Sequence, residues 1–154
     1  GTFINEYSRA YAEKSMELCR EVFLGELSEH LADEKLMIAS YFGGLSIAYS
    51  QVGVCHALGY GLSYVLGARH GIGNCVIFNT LEKYYPVEVR EFREMVAKHR
   101  IPLPREMTKG LEEHRMSEMI RVALSLDPLW QNALGPDWKK IMTPEKAREL
   151  YLRM

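Results

Sequence analysis

Charge is missing from the middle of this chain. No Asp, Glu, Lys or Arg lies between Lys35 and Arg69, although charged residues are frequent on both sides. An uncharged run of this length is long enough to cross a membrane, or it forms the buried centre of a helical domain. It contains serines, Gln51, His56 and six glycines, and it lacks a sustained block of Leu, Ile or Val. Buried core helices are therefore the favoured interpretation, with a membrane span as the alternative.

An excess of one charge sign is missing as well. The chain has 19 Lys and Arg against 20 Asp and Glu, and the two signs are interspersed. This balance gives no basic field for a phosphate backbone, so nucleic acid is not an expected partner. There are only three cysteines, Cys19, Cys55 and Cys75, with no Cys-x-x-Cys pair and no N-terminal signal segment. We therefore expect free thiols, a cytoplasmic location and no membrane partner.

Strand patterns and internal repeats are also lacking, which predicts an all-α fold. At 154 residues the chain is long enough to fold as one domain, 1–154, without a disulfide or a metal. Helical periodicity, caps and prolines predict helices over residues 6–23, 33–50, 53–66, 71–81, 87–99, 108–125 and 127–135, and a last helix from Thr143-Pro144. Asp33 and Thr108 are the predicted first residues of two of these helices.

Glycines mark two positions in the uncharged run. The Gly43-Gly44 pair lies inside a predicted helix, where each glycine costs about 1 kcal/mol relative to alanine. That cost is usually tolerated where another backbone must come close, so we expect such a contact there. Gly67 is the predicted end of the helix over residues 53–66.

Two histidines, His56 and His70, stand inside or at the end of this run. On one straight helix they would lie roughly 21 Å apart, too far to share an ion. A chain reversal at Gly67 would bring them together as half of a metal site, although no carboxylate is available nearby. Two alternatives remain from the residues alone: hydrogen-bonded core histidines, or a zinc site that also uses Cys55 and Cys75.

The order of residues around these histidines resembles a known family. His56-Ala57-Leu58-Gly59-Tyr60, then Leu66-Gly67-Ala68, then His70-Gly71 and Asn74 is similar to the signature of the iron-containing alcohol dehydrogenases. The preceding run, Ile38-Ala39-Ser40-Tyr41-Phe42-Gly43-Gly44, resembles what precedes that signature in the family. The resemblance implies the C-terminal helical bundle of a dehydroquinate-synthase-like fold.

The resemblance also implies a metal and a cofactor. His56 and His70 correspond to two of four protein ligands of a catalytic iron(II), with zinc as a possible replacement. In the family the other two ligands, an Asp and a His, come from an earlier helix. An N-terminal α/β domain binds most of the NAD(P). Neither is found in these 154 residues. We therefore expect the chain to be a C-terminal fragment, inactive by itself, of a metal-dependent alcohol oxidoreductase.

Two departures from the family pattern bear on the substrate. Tyr60 stands where a second histidine is common and is a candidate catalytic residue, and Arg69 replaces the usual proline and is a candidate substrate-binding residue. A cation beside the metal suits a substrate with a carboxylate, so the chain resembles the sugar-acid branch of the family. A small-molecule alcohol or sugar acid and a homodimer are the expected partners. The competing hypothesis is a metal-free helical interaction module with both histidines in its core.

Overall fold

The computed structural model describes residues 2–154, and the regular structure in this range is entirely helical. The all-α prediction is confirmed. The helices are α1 (Glu6–Phe23), α2 (Glu29–Ala48), α3 (Val54–Leu66), α4 (His70–Asn79), α5 (Pro86–Lys98), α6 (Glu113–Leu124), α7 (Asp127–Leu134), α8 (Trp138–Ile141) and α9 (Pro144–Tyr151).

Two predicted helix starts are wrong. The N-cap of α2 is Ser28, not Asp33, and Glu29 in the first turn suits the positive end of the helix dipole. The N-cap of α6 is Glu112, because Thr108 is used for a tertiary contact. Its hydroxyl donates to the Tyr151 carbonyl oxygen at 2.8 Å, which joins a turn before α6 to the end of α9. The four-residue helix α8 is too short to show a periodic pattern and was not predicted.

The core is built around α3, which packs against α4, α6 and α7. Ala57, Leu58 and Leu62 of α3 are completely buried, and Trp130 of α7 and Tyr151 of α9 are buried with them. The prediction of a core helix over residues 53–66 is therefore confirmed. Apolar burial of this kind supplies about 25 cal/mol for each square ångström removed from water.

Glycine permits the closest approach in this core, at a different place from the one predicted. A methyl group on Gly61 would lie 2.1 Å from the Tyr151 hydroxyl and 2.8 Å from the Met119 carbonyl oxygen. The Tyr151 hydroxyl donates to the Leu58 carbonyl oxygen at 2.7 Å. At Gly43 a methyl group would lie 3.3 Å from the Ser15 hydroxyl of α1, and at Gly44 there is nothing within 4 Å, so α1 does come close to this pair, through a side chain rather than its backbone.

Helix α2 is not a core helix, which corrects the sequence prediction. It packs against α1, and Ala39 is its one buried residue. The two helices are joined by polar contacts, such as the Ser15 hydroxyl donating to the Ala39 carbonyl oxygen at 2.8 Å. Met37 is 75% exposed and Tyr41 67% exposed. Lack of charge in the first half of the run therefore does not reflect burial within residues 2–154.

A membrane span is the alternative interpretation of the uncharged run between Lys35 and Arg69. None of the helices in residues 2–154 combines the length and the apolar character that a crossing of the bilayer requires.

Candidate metal centre

The segment between α3 and α4 brings the two histidines together. Gly67 adopts a left-handed conformation with φ of 69°, which ends α3, and residues 67–69 are non-helical. His56 lies ten residues before Leu66, about 15 Å along α3. The ring centroids of His56 and His70 nevertheless lie 5.0 Å apart, so the chain from Leu66 to His70 turns back along α3. The reversal predicted at Gly67 is thus confirmed, and His70 returns to the level of His56.

The rings of His56 and His70 are close enough to share an ion. Their centroids are 5.0 Å apart, and the ring planes are inclined at 55°. Two imidazoles that bind one metal at about 2.1 Å, with a nitrogen-metal-nitrogen angle of roughly 90 to 110°, have centroids about 4.6 to 5.3 Å apart. The observed separation falls in this interval, so the pair fits two ligand positions of one divalent cation.

The surroundings of His56 favour the neutral imidazole that a metal requires. Burial lowers the pKa of His56, and the neighbouring His70 lowers it further. Only a neutral ring has a free lone pair for a metal. The surroundings of His56 therefore favour its neutral form over the cation.

Asn74 holds the ring of His70 from the next turn of α4. Its side-chain nitrogen lies 3.2 Å from His70 Nε2. The other end of this carboxamide, Oδ1, is buried without a hydrogen-bond partner in residues 2–154. It occupies the space that a side chain on Gly59 would need, since a methyl group there would be 2.2 Å away. Gly59 on α3 and Asn74 on α4 thus fit together beside the histidine pair.

Tyr60 and Arg69 lie at the same site but are exposed. The Tyr60 ring centroid is 5.3 Å from that of His70, and Tyr60 is 42% exposed. Arg69 is the N-cap of α4, directly before His70, and its side chain has no hydrogen bond or ion pair with residues 2–154. Tyr60 therefore borders the histidine pair, Arg69 is placed only by its position before His70, and the chemical roles of both stay predictions.

Two supporting residues escaped the sequence analysis. Asn74 belonged to the quoted motif, yet its contact with His70 was not foreseen, although the spacing of four residues on a helix could have indicated it. Arg115 of α6 donates to the Val65 carbonyl oxygen at 2.6 Å, next to the turn at Gly67. No local signal identifies that contact, because the two residues are fifty positions apart.

A complete ligand set is not present in the described residues. Across residues 2–154, there is no group of three or more His, Cys, Asp or Glu side chains that could hold a metal. This removes the zinc site with Cys55 and Cys75. Burial also raises the pKa of the Cys55 thiol to about 11, which disfavours the thiolate that zinc would need. His56 and His70 are two nitrogen donors that lie together.

The fold is an all-helical domain in which the rings of His56 and His70 lie side by side at the starts of α3 and α4. Comparison with protein families agrees, because residues 4–121 match the model for the Fe-containing alcohol dehydrogenase family, C-terminal. This match covers most of the chain. The chain therefore belongs to the Fe-containing alcohol dehydrogenase family, and its helical fold is that of the family's C-terminal domain.

The matched region ends inside α6, but the core does not. Trp130 and Trp138 stack with ring centroids 5.7 Å apart, and they join the same buried cluster as Tyr151. The indole nitrogen of Trp130 donates to the Ala123 carbonyl oxygen at 2.7 Å. Residues 122–154 are thus an integral part of the domain that supports α3.

Proposed function

We propose that this chain is the metal-binding part of an enzyme that oxidises an alcohol and transfers the hydride to NAD(P). The observation that carries this proposal is the 5.0 Å separation of the His56 and His70 rings, in a chain of the Fe-containing alcohol dehydrogenase family. In this proposal the ion is iron(II), for which zinc could substitute, and the NAD(P) is held mainly outside these residues.

The residues of this chain have distinct tasks in the proposal. His56 and His70 hold the ion in their neutral forms. The Asn74 amide N–H can only donate to His70 Nε2, so an ion bound at Nε2 takes that lone pair in place of Asn74. When bound, the ion supplies Lewis acidity that lowers the pKa of the substrate hydroxyl. Tyr60, beside His70, is suited to hydrogen-bond that oxygen, because a phenol both donates and accepts.

The proposed substrate is a sugar acid whose terminal hydroxyl is oxidised. Arg69 directly precedes His70 and has a free guanidinium within the described chain, so it can bind a carboxylate in a bidentate manner. A 3-deoxy-octulosonate 8-oxidase, which acts on a lipopolysaccharide sugar acid, is the specific activity that we propose. The departures at Tyr60 and Arg69 from the common family pattern support this choice over a short-chain alcohol.

Metal content and turnover of the full-length enzyme test the proposal. We expect His56→Ala and His70→Ala each to lose most of the bound iron and the dehydrogenase activity. His30→Ala is a matched control, because His30 is exposed on α2 and takes no part in the pair. Unchanged iron content and turnover in both site variants would contradict the proposed function.

The 154-residue chain by itself has a separate expected behaviour. It supplies two nitrogen donors, fewer than a divalent ion requires, so we expect weak iron retention and no hydride transfer. Turnover by this chain alone would show that the donor set is complete without other residues.

A metal-free interaction module is the second candidate. The exposure of Met37 and Tyr41 on α2 favours it, because large apolar side chains on a surface often bind a partner. This candidate predicts that the full-length protein purifies without iron or zinc and binds neither metal when it is added, which the proposed enzyme would not do. The hydrogen bond between Asn74 and His70 agrees with it, but we rank it second because it gives no reason for two imidazole rings 5.0 Å apart.

A further inference from the structure

A basic cleft lies at the other end of α4 from the histidine pair. It has a volume of about 1180 Å³ and is bordered by the ends of α4 and α5, by the segment that joins α5 to α6, and by residues 152–154. His70 and Asn79 are the first and last residues of α4, so nine helical rises, about 13 Å, separate the histidine pair from this cleft. The cleft is therefore a second concave site.

The cleft is strongly positive. Five cationic side chains line it, whereas Glu106 is the one acidic side chain among its lining residues. Glu106 is already paired with Lys109 at 2.8 Å. Positive charge gathered in a concavity raises the local concentration of anions.

Two of these cations are not neutralised inside the chain. Arg93 is held by the side chain and the carbonyl oxygen of Asn79, and Glu82 pairs with both Arg93, at 3.5 Å, and Arg153, at 2.5 Å. No carboxylate oxygen of residues 2–154 lies within 4.0 Å of the guanidinium groups of Arg100 or Arg105. These two groups remain available for a ligand.

The backbone at Arg100 gives a second, independent indication. Arg100 has φ of 51° and follows the C-cap of α5. The main-chain N–H groups of Arg100 and Ile101 donate to the carbonyl oxygens of Ala97 and Val96 at 3.2 and 3.0 Å. This is the Schellman arrangement, in which glycine is strongly preferred at the left-handed position. An arginine there is a strained choice, and strain of this kind concentrates at functional sites.

The segment after Arg100 is restrained in a way that suits a binding site. Pro102 and Pro104 limit the backbone, and Glu106 is a second non-glycine residue with positive φ, at 55°. Thr108, which is buried, ties the end of the segment to Tyr151. Arg105 thus lies on a short segment that is fixed at both ends, so binding a ligand requires little further ordering of the backbone.

We propose that this cleft binds a small molecule bearing a phosphate group, with Arg100 and Arg105 as the principal contacts. The planar guanidinium group matches phosphate oxygens with two parallel hydrogen bonds. Arg100 and Arg105 are the two lining cations without a carboxylate partner in residues 2–154, and two positive charges suit a doubly charged phosphate better than a single carboxylate. The site is separate from the histidine pair, so the proposal stands whether or not the dehydrogenase function is correct.

The choice of variants follows from the backbone. Arg100→Gly removes the guanidinium and places the preferred residue at a left-handed position, so the melting temperature should stay equal or rise. Arg105→Gln removes the second charge. Arg90→Gln is a matched control, because Arg90 is an exposed arginine of α5 that does not line the cleft.

Calorimetric titration with inorganic phosphate, at constant ionic strength in chloride, tests the proposal on the 154-residue chain. We expect saturable binding to the unmodified chain and to Arg90→Gln, and about tenfold or greater weakening in the Arg100→Gly/Arg105→Gln double variant. Equal binding by the double variant would overturn the proposal. So would the absence of saturable heat with the unmodified chain, or tighter binding of citrate than of phosphate.

Discussion

The contact between Gly59 and Asn74 gives the sharpest prediction from this structure. A methyl group at Gly59 would lie 2.2 Å from Asn74 Oδ1 and 3.4 Å from its Cγ. The first distance is about 1 Å shorter than a normal carbon-oxygen contact. Gly59→Ala therefore forces α3 away from α4 or drives the Asn74 carboxamide out of its place beside His70.

Two opposing effects set the change in the free energy of unfolding that Gly59→Ala causes. Inserting a methyl group into a packed site costs about 1 to 3 kcal/mol. Replacing glycine by alanine inside a helix returns roughly 0.5 to 1 kcal/mol. Gly44→Ala isolates the second term, because Gly44 is exposed in the interior of α2 and nothing lies within 4 Å of the new methyl group. We expect Gly44→Ala to be stabilising, and Gly59→Ala to be less stable than it by about 1 to 3 kcal/mol.

Urea denaturation of five proteins checks this prediction: the unmodified chain, Gly44→Ala, Gly59→Ala, Asn74→Ala and the Gly59→Ala/Asn74→Ala double variant. Asn74→Ala removes both atoms that the new methyl group would meet most closely. The double variant should therefore recover most of the loss, as a coupling free energy of about 1 to 3 kcal/mol. If Gly59→Ala raises stability as much as Gly44→Ala does, or if Asn74→Ala brings no recovery, the assignment of this contact is wrong.

Three further predictions concern the core, the turn and the substrate. Tyr151→Phe should lower the free energy of unfolding by about 1 kcal/mol, because it removes the buried hydrogen bond to the Leu58 carbonyl oxygen. Tyr64 has an exposed ring, so Tyr64→Phe should leave the free energy of unfolding unchanged in the same urea titration. Gly67→Ala should lower the free energy of unfolding by about 1 to 2 kcal/mol through the φ of 69° alone, because no atom lies within 4 Å of the added methyl group. Thermal melting measures this loss, and Gly71→Ala is the control, because Gly71 does not have a positive φ. In the enzyme proposed above, Arg69→Gln should raise KM for a carboxylate-bearing substrate about tenfold or more with iron content unchanged. An unaltered KM would exclude the proposed carboxylate contact.

The sequence predicted the helices whose boundaries have strong local causes. Asn5 caps α1 and Thr143 caps α9, each through its own side-chain oxygen, and both ends lie where the pattern placed them. At Asp33 and Thr108 the same residue types do not start a helix. Thr108 instead bonds to Tyr151, forty-three residues away, and no local rule contains that contact. Local capping preferences are worth about 1 kcal/mol, which a single tertiary hydrogen bond can outweigh.

Burial divided the uncharged run in a way that composition could not. Residues of α3 and α2 are similarly free of charge, yet Leu58 is completely buried and Met37 is 75% exposed. The hydrophobicity of a side chain predicts that it avoids water, but it does not predict which other helix will cover it. The pairing of α3 with α4, α6 and α7 decided this within the described chain, because α2 contacts mainly α1.

The sequence by itself determined the helical class, the two histidines and the reversal at Gly67, since periodicity and a left-handed glycine are local properties. Only the tertiary structure decided that the rings of His56 and His70 lie 5.0 Å apart, and that Asn74 occupies the space left by Gly59. It also gathered Arg100 and Arg105 at a cleft formed with residues from three other parts of the chain. Such arrangements depend on the packing of helices distant in sequence, and that packing has no signature in any one segment.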